Sequence, residues 1–178
     1  RRMDSYLAGF GRITVDSAIG LQRPFEAPVV ARFPYGVEDD GQADGVDSLD
    51  DEPSDDNPPP TSYIEINWLL PEYEDMALGM ALEILSHALL DTPASPLRKA
   101  LIDSGLGEDV IGGLSNYTRQ MTFSAGLKGV APEDVANVEP LILDTLQELA
   151  RDGFDPDMIA ASLNTIEFAL RENNTGRY

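Results

Sequence analysis

Two stretches of the chain alternate between apolar and polar residues, and each alternation predicts a strand with one buried face. In residues 61–70 the apolar face is formed by Ile64, Ile66 and Trp68. The polar face of the same stretch is formed by Tyr63, Glu65 and Asn67. Because successive side chains of a strand point to opposite sides, this period of two residues indicates a half-buried strand.

The second alternation covers residues 117–130. Its apolar face is formed by Tyr117, Met121, Phe123, Ala125 and Leu127. Its polar face is formed by Thr118, Gln120, Thr122 and Ser124. The neighbouring pair Gly112 and Gly113 precedes this stretch, and paired glycines predict a turn that leads into the strand.

Apolar residues recur every three or four positions elsewhere, which predicts helices. Residues 72–90 are apolar around most of the helical circumference, so we expect a long and largely buried helix. Pro96 and Gly105 predict the start and the left-handed end of a shorter helix.

Two further helices are predicted at the end of the chain. The first begins near Pro132, stops at Gly153 and carries a regular apolar stripe: Val135, Val138, Ile142, Leu146 and Leu149. The second has Asp155 as its N-cap and Pro156 in its first position. Its buried stripe is expected at Ile159, Leu163, Ile166 and Leu170.

The first part of the chain carries weaker signals. Residues 4–10 read as the end of a helix, and residues 27–35 read as a short edge strand because prolines cannot donate to a central ladder. We therefore divide the chain into a helix end with linker at residues 1–26 and one domain at residues 27–178.

The predicted fold class is α+β, with helices packed on one face of a mixed or antiparallel sheet. The polar outer face suits the wall of a solvent-filled cavity.

The formal net charge of −20 is concentrated in one segment. Residues 38–57 hold ten acidic residues and no Lys or Arg, and they run into three consecutive prolines. Such a stretch cannot bury enough apolar surface to offset its ordering entropy, so we interpret residues 36–60 as a disordered acidic insertion. Calcium binding is the alternative, although the spacing of a calcium-binding loop is not met. The negative charge argues against a nucleic-acid partner.

The cysteine content, the length of the apolar runs and the first residues narrow the possible classes of protein further. The chain has no cysteine, which excludes disulfide scaffolds and thiolate zinc sites. No apolar run approaches the roughly 20 residues that cross a bilayer, so no membrane partner is expected. The chain begins with Arg1 and lacks a signal-peptide pattern, and we expect it to be a fragment of a longer protein.

The sequence contains no complete catalytic motif. His87 is the single histidine, and Glu83 lies one helical turn before it. A zinc site needs about three protein ligands, so we interpret His87 as a packed or partly exposed helix residue. Neither a serine triad nor a phosphate-binding glycine loop is present. No catalytic or metal-binding residue is predicted.

Three longer strings carry a family resemblance. They are residues 90–107, which contain Thr-Pro-Ala-Ser-Pro-Leu, residues 116–129, and residues 164–176, which contain Arg-Glu-Asn-Asn-Thr-Gly. The strand that ends in Ile66-Asn-Trp-Leu-Leu70 also fits. Together these stretches resemble the presequence proteases, a branch of the pitrilysin and insulinase zinc metallopeptidases, from about residue 29 to the end of the chain.

The resemblance implies a specific place for this chain. Presequence proteases are built of paired α+β domains around a chamber, and this chain resembles the second, non-catalytic domain of the first half. Zinc would then be a cofactor of the parent protein, with its ligands outside this chain. The expected partners are short unfolded peptides, including targeting presequences, and the remaining domains of the same polypeptide. The implied location is the mitochondrial matrix or the plastid stroma.

Candidate substrate-binding residues follow from the polar strand faces and the glycine pair. They are Tyr63, Glu65, Asn67, Gly112, Gly113, Tyr117, Thr118, Gln120 and Thr122. The alternative is that these are ordinary solvated residues of a sheet.

Basic and helix-end residues are open to two readings as well. Arg98 and Lys99 either pair with nearby acids such as Asp91 or contact a peptide or the partner half. The polar residues 171–174 are expected to cap the last helix and to contact a following segment.

Two other function classes remain open. One is a structural, non-catalytic subunit of a processing-peptidase-like complex. The other is an acidic protein-interaction domain whose insertion recruits a basic partner. Deletion of the insertion separates the acidic interaction domain from the chamber domain, because a chamber wall should fold unchanged whereas an acidic adaptor should lose its partner.

Overall fold

The computed structural model of the protein describes residues 2–11, 14–33 and 61–172. Three strands form one antiparallel sheet in the order β1-β3-β2: β1 (Ser62–Glu72), β2 (Asp109–Ser115) and β3 (Gln120–Val130). The helices are α1 (Arg2–Leu7), α2 (Met76–Ser86), α3 (Pro96–Asp103), α4 (Val135–Asp152) and α5 (Pro156–Glu172). A π-helical turn, His87–Asp91, continues α2. The predicted acidic insertion at 36–60 lies outside the described residues.

The alternation of β1 and β3 determines which face of the sheet is buried. Ile66 lies opposite Ala125, and Trp68 lies opposite Phe123, with 5.7 Å between the two ring centroids. These residues face the helices, whereas Tyr63 lies on the exposed side. Both predicted strands are therefore confirmed, and so is the α+β class.

The hydrophobic core lies between the sheet and the helices. Its fully buried part consists of Leu89, Leu90, Leu97, Leu101, Ala125, Leu127, Val130, Val138 and Ile142. These residues come from the π-helical turn, α3, β3 and α4, so the helices cover one face of the sheet. The predicted stripe of α4 is confirmed, and Gly153 ends that helix with a φ of 82°. Gly105 follows α3 with a φ of 67°, as predicted.

The long helix predicted at residues 72–90 is shorter and less buried than expected. It begins at Met76 because the Asp75 carboxylate accepts hydrogen bonds from the N–H groups of Ala77 and Leu78, at 2.9 and 3.2 Å. A side chain that satisfies the first helical N–H groups fixes the start of a helix. Met76, Leu78 and Leu85 are exposed, so the expectation of a largely buried helix was wrong.

The stripe of α5 needs a similar correction. Asp155 caps the helix through the N–H of Asp157 at 2.9 Å, and Ile166 is buried. Leu163 and Leu170, however, are 46% and 47% exposed. Only part of the predicted stripe meets the core, because nothing in the described part of the chain covers the outer half.

The strand predicted at residues 27–35 is not found in its described part. Residues 27–33 form no regular structure, and Val29, Val30 and Phe33 are exposed. Pro28 lacks the N–H that a ladder needs, and the described sheet pairs only β1, β3 and β2.

Candidate functional site

The uncovered face of the sheet holds the predicted polar residues of β1. Tyr63, Glu65 and Asn67 are all exposed there. The Nδ2 group of Asn67 donates to Oε2 of Glu65 at 3.4 Å. From β3, the Nζ of Lys128 lies 5.7 Å from the centroid of the Tyr63 ring, within range of a cation–π interaction. The result is a polar surface with donors, acceptors and one aromatic ring.

The pairing of the strands brings the predicted residues of β3 beside those of β1. Thr122 lies opposite Leu69 of β1 and Ser115 of β2, and Ser124 lies opposite Asn67. Thr122 is half-buried, so its exposed part belongs to the same face as Asn67. Contact of this face with a peptide stays a prediction.

Two predicted residues lie outside the strand. Tyr117 and Thr118 belong to the connection between β2 and β3, and Tyr117 is 88% exposed. The Thr118 hydroxyl donates to the carbonyl of Gln120 at 2.7 Å. The alternation predicted a strand from residue 117, but this connection needs residues 116–119 to turn the chain between the two strands.

The glycine pair lies within β2 and does not form the predicted turn. Gly112 pairs with Ala125 and Gly113 pairs with Ser124. Their φ angles are 122° and 136°, a conformation that residues with a side chain rarely adopt. A Cβ at Gly112 would lie 2.3 Å from the carbonyl oxygen of Ser124. The glycines therefore allow the backbone of β2 to lie close to the backbone of β3.

A pocket of about 290 Å³ opens beside this part of β2. It is lined by Glu83, Ser86, Asp91, Asn116 and residues 112–114. This pocket was not predicted from the sequence, in which Glu83 stands out only as a neighbour of His87. The spacing of Glu83 and Ser86 at i and i+3 places them on one face of α2. That spacing was the signal in the sequence for a shared helix face. It does not show which other part of the fold this face contacts.

Ser86 attaches the end of α2 to the edge of the sheet. Its Oγ accepts a hydrogen bond from the N–H of Leu114 at 3.1 Å, and the residue is buried. The N–H of Val110 is also satisfied, by Oδ1 of Asp109 at 2.8 Å. Two donors of β2 are thus occupied by side chains, which reduces its capacity to pair with another strand.

A second contact that the sequence did not predict holds the amino-terminal segment. Arg119 donates through Nη1 to the carbonyl of Ile19 at 3.0 Å and through Nε to the carboxylate of Glu72. Gln120 accepts from the N–H of Gln22 at 3.0 Å and donates to its carbonyl at 3.3 Å. The predicted substrate-binding residue Gln120 therefore uses its side-chain amide to hold the chain itself.

The donor groups of the described residues do not fit a zinc ion. The Nδ1 of His87 lies 3.0 Å from the hydroxyl of the buried Ser162 on α5, a contact that links the π-helical turn to that helix. Within residues 2–11, 14–33 and 61–172, no three His, Asp or Glu side chains gather into a metal-binding group. The same ranges contain no helix that is long and apolar enough to cross a membrane.

Three further basic residues, Arg98, Lys99 and Arg171, make local contacts. Lys99 pairs with Asp103 one turn later on α3, and Arg98 donates to the carbonyl of Leu90 at 3.5 Å. Pairing of Lys99 with a nearby acid is confirmed, although the partner is not Asp91. Arg171 pairs with Glu167 on α5, and residues 173–178 lie outside the described part.

A sheet covered by helices on one face defines an α+β domain. The family model "Peptidase M16 inactive domain" matches residues 42–166. The chain belongs to this family of M16 peptidase domains, as the resemblance to the presequence proteases implied.

Longer relatives carry the matching region. Presequence protease 1, chloroplastic/mitochondrial, of Arabidopsis thaliana is 56% identical over 115 residues, covering 64% of this chain and 11% of that protein. Protein HypA of Clostridium perfringens is 33% identical over 175 residues, covering 98% of this chain and 16% of that protein. The chain thus spans between about a tenth and a sixth of the length of these two relatives.

Solved structures show the same fold. The inactive peptidase domain of a Bordetella parapertussis protein superposes with a TM-score of 0.59 at 18% identity, covering 67% of this chain and 64% of that chain. At this identity the similarity concerns the fold alone.

Proposed function

We propose that this chain is a non-catalytic wall of the chamber of a zinc metalloendopeptidase that degrades targeting presequences and other short unfolded peptides. The observation that carries the proposal is the uncovered polar face of the sheet, where Tyr63, Glu65 and Asn67 are exposed while the other face is covered by helices. The name of the Arabidopsis relative supports the peptide substrate. The wall contributes by binding and orienting an extended peptide.

Catalysis belongs, in this proposal, to domains outside the chain. Zinc and its ligands would be supplied by the remaining domains of the same polypeptide, because the donor set described above does not fit the ion. Tyr117, on the exposed connection before β3, and the glycines of β2 would border the chamber. The names of the relatives favour a mitochondrion or a plastid as the location.

The test uses the intact gene product and a fluorogenic, presequence-like peptide. The variant Tyr63→Ser/Asn67→Ala removes an aromatic surface and an amide from the uncovered face. We expect KM to rise about three- to tenfold with little change in kcat, because these side chains contact substrate before and during the reaction alike. A matched variant on the outer face of α4, Gln147→Ala/Glu148→Ala, should leave both constants unchanged.

Two results would contradict the proposal. An intact protein that shows no chelator-sensitive peptide cleavage is not a zinc peptidase, which favours the structural-subunit alternative. Loss of a macromolecular partner after deletion of residues 36–60, with peptide cleavage absent from the start, favours the acidic interaction domain.

A further inference from the structure

The amino-terminal segment crosses one end of the uncovered face of the sheet. Met121 is buried in the core, so its neighbours Gln120 and Thr122 point to the opposite, uncovered side of β3. The side chain of Gln120 is hydrogen-bonded to Gln22 there. Residues 19–22, which we call the strap, therefore lie over the end of the face that the proposed function assigns to a peptide.

The strap is held by its main chain. Gln120 accepts a hydrogen bond from the N–H of Gln22 through Oε1 at 3.0 Å, and it donates through Nε2 to the carbonyl of the same residue at 3.3 Å. Arg119, which is paired with Glu72, donates to the carbonyl of Ile19 at 3.0 Å. The side chain of Ile19 is 83% exposed, so it adds little to the attachment. These hydrogen bonds do not depend on which side chains the strap carries.

The side-chain amide of Gln120 acts towards Gln22 as a neighbouring strand would. It offers one carbonyl acceptor and an N–H donor, as a peptide group does, and paired residues of an antiparallel sheet exchange hydrogen bonds in the same way. Residues 14–25 form neither a helix nor a strand, so the bound partner is an irregular chain. This end of the sheet therefore recognises the main chain of a segment without secondary structure, which is the form of a short unfolded peptide.

We propose that the strap is an intramolecular competitor of peptide binding: it occupies a main-chain-binding site formed by Arg119 and Gln120, and an unfolded peptide binds there when the strap leaves. The inference rests on the proposed function and adds a competing segment to it. Because the strap belongs to the same chain, its effective concentration is about millimolar, well above that of a dilute free peptide. Its hydrogen bonds lie at exposed positions and are individually weak, so the strap exchanges with a peptide.

The experiment weakens the strap and leaves the site unchanged. The test variant is Gln22→Pro, which removes the N–H that Gln120 accepts. The control is Val15→Pro, at an exposed residue of the same segment outside these contacts. Fluorescence anisotropy measures binding of a short labelled peptide of serine, threonine and alanine to the intact gene product, with chelator present to prevent cleavage. We expect Gln22→Pro to bind this peptide about three- to tenfold more tightly than the wild type and the control, because the competitor loses one hydrogen bond.

Two further variants of the measurement identify the site. Gln120→Ala removes the groups that bind strap and peptide alike, so Gln22→Pro should give no further gain in a Gln120→Ala background. A peptide methylated at its main-chain nitrogens has no N–H to donate to Gln120, and it should bind the wild type and Gln22→Pro equally. The rate of chymotrypsin cleavage after the exposed Phe25 reports release of the strap.

Tighter binding by Gln22→Pro that disappears with Gln120→Ala supports the competitor. Unchanged binding by Gln22→Pro overturns it: faster cleavage after Phe25 would mean that the released strap did not block the peptide, and unchanged cleavage would mean that Gln22 does not hold the strap. A gain that persists with Gln120→Ala places the peptide elsewhere and also overturns it. In each of these cases, chelator-sensitive cleavage of a presequence-like peptide leaves the proposed function intact. Absence of peptide binding and cleavage in every protein overturns both proposals together.

Discussion

The Oγ of Ser86 accepts a hydrogen bond from the main-chain N–H of Leu114 at 3.1 Å, and this contact joins the last turn of α2 to the outer edge of β2. The two residues are 28 positions apart, and Ser86 is 5% exposed. An edge strand presents unpaired N–H groups, and a buried serine satisfies one of them here. The contact therefore stabilises the fold and also forms one side of the pocket beside β2.

Replacement of Ser86 should show the cost of losing this acceptor. Ser86→Ala leaves the Leu114 N–H without its partner in a part-buried position, and we expect the free energy of unfolding to fall by about 1–2 kcal/mol. Urea unfolding of the 178-residue chain measures the change. Ser17→Ala, at an exposed position, should alter stability by less than about 0.5 kcal/mol. Equal effects of the two substitutions would show that the Ser86 contact contributes nothing.

The backbone of β2 should tolerate no side chain at Gly112. Gly112→Ala combines a φ of 122° with a Cβ placed 2.3 Å from the Ser124 carbonyl oxygen. We expect a loss of about 2–3 kcal/mol, because a strained backbone and a steric conflict act together. Gly20→Ala is the matched control, since Gly20 has open space around it. A Gly112→Ala protein as stable as the Gly20→Ala protein would contradict the described β2 backbone.

The amino-terminal segment should become accessible when Arg119 is replaced. Arg119→Ala removes the hydrogen bond to the Ile19 carbonyl and the ion pair with Glu72. Chymotrypsin should then cleave after the exposed Phe25 about three- to tenfold faster, because the segment is released more often. Arg151→Ala, which removes a salt bridge on α4, should leave the rate unchanged. No change in the Arg119→Ala protein would mean that the segment is held by other contacts.

Local periodicity was sufficient to predict the elements with a single buried face. The alternation around Ile66 and Phe123 predicted β1 and β3, because any slip of one residue would expose the whole apolar set. The stripe of α4 was equally clear, since Val138 and Ile142 are both buried in the core. The candidate residues on the uncovered face followed directly from the same alternation.

Contacts between distant parts of the chain were not predictable in this way. The glycine pair indicated a turn, whereas its pairing with Ala125 and Ser124 depends on a strand that comes later in the sequence. The pocket needs α2 to meet β2, and neither stretch alone contains that information. The hydrogen bonds of Arg119 and Gln120 to residues 19–22 span about a hundred positions for the same reason.

The corrected stripe of α5 leads to a matched pair of leucine substitutions. Leu101 of α3 is fully buried, whereas Leu163 of α5, which was predicted to be buried, is 46% exposed. Leu101→Ala should lower the free energy of unfolding by about 2–5 kcal/mol, because it removes buried methyl groups and leaves a cavity. Leu163→Ala should cost about 1 kcal/mol, since half of its surface already meets water. Urea unfolding of both variants of the 178-residue chain measures the difference, and equal costs would mean that α5 packs in solution along the full stripe that its sequence predicts.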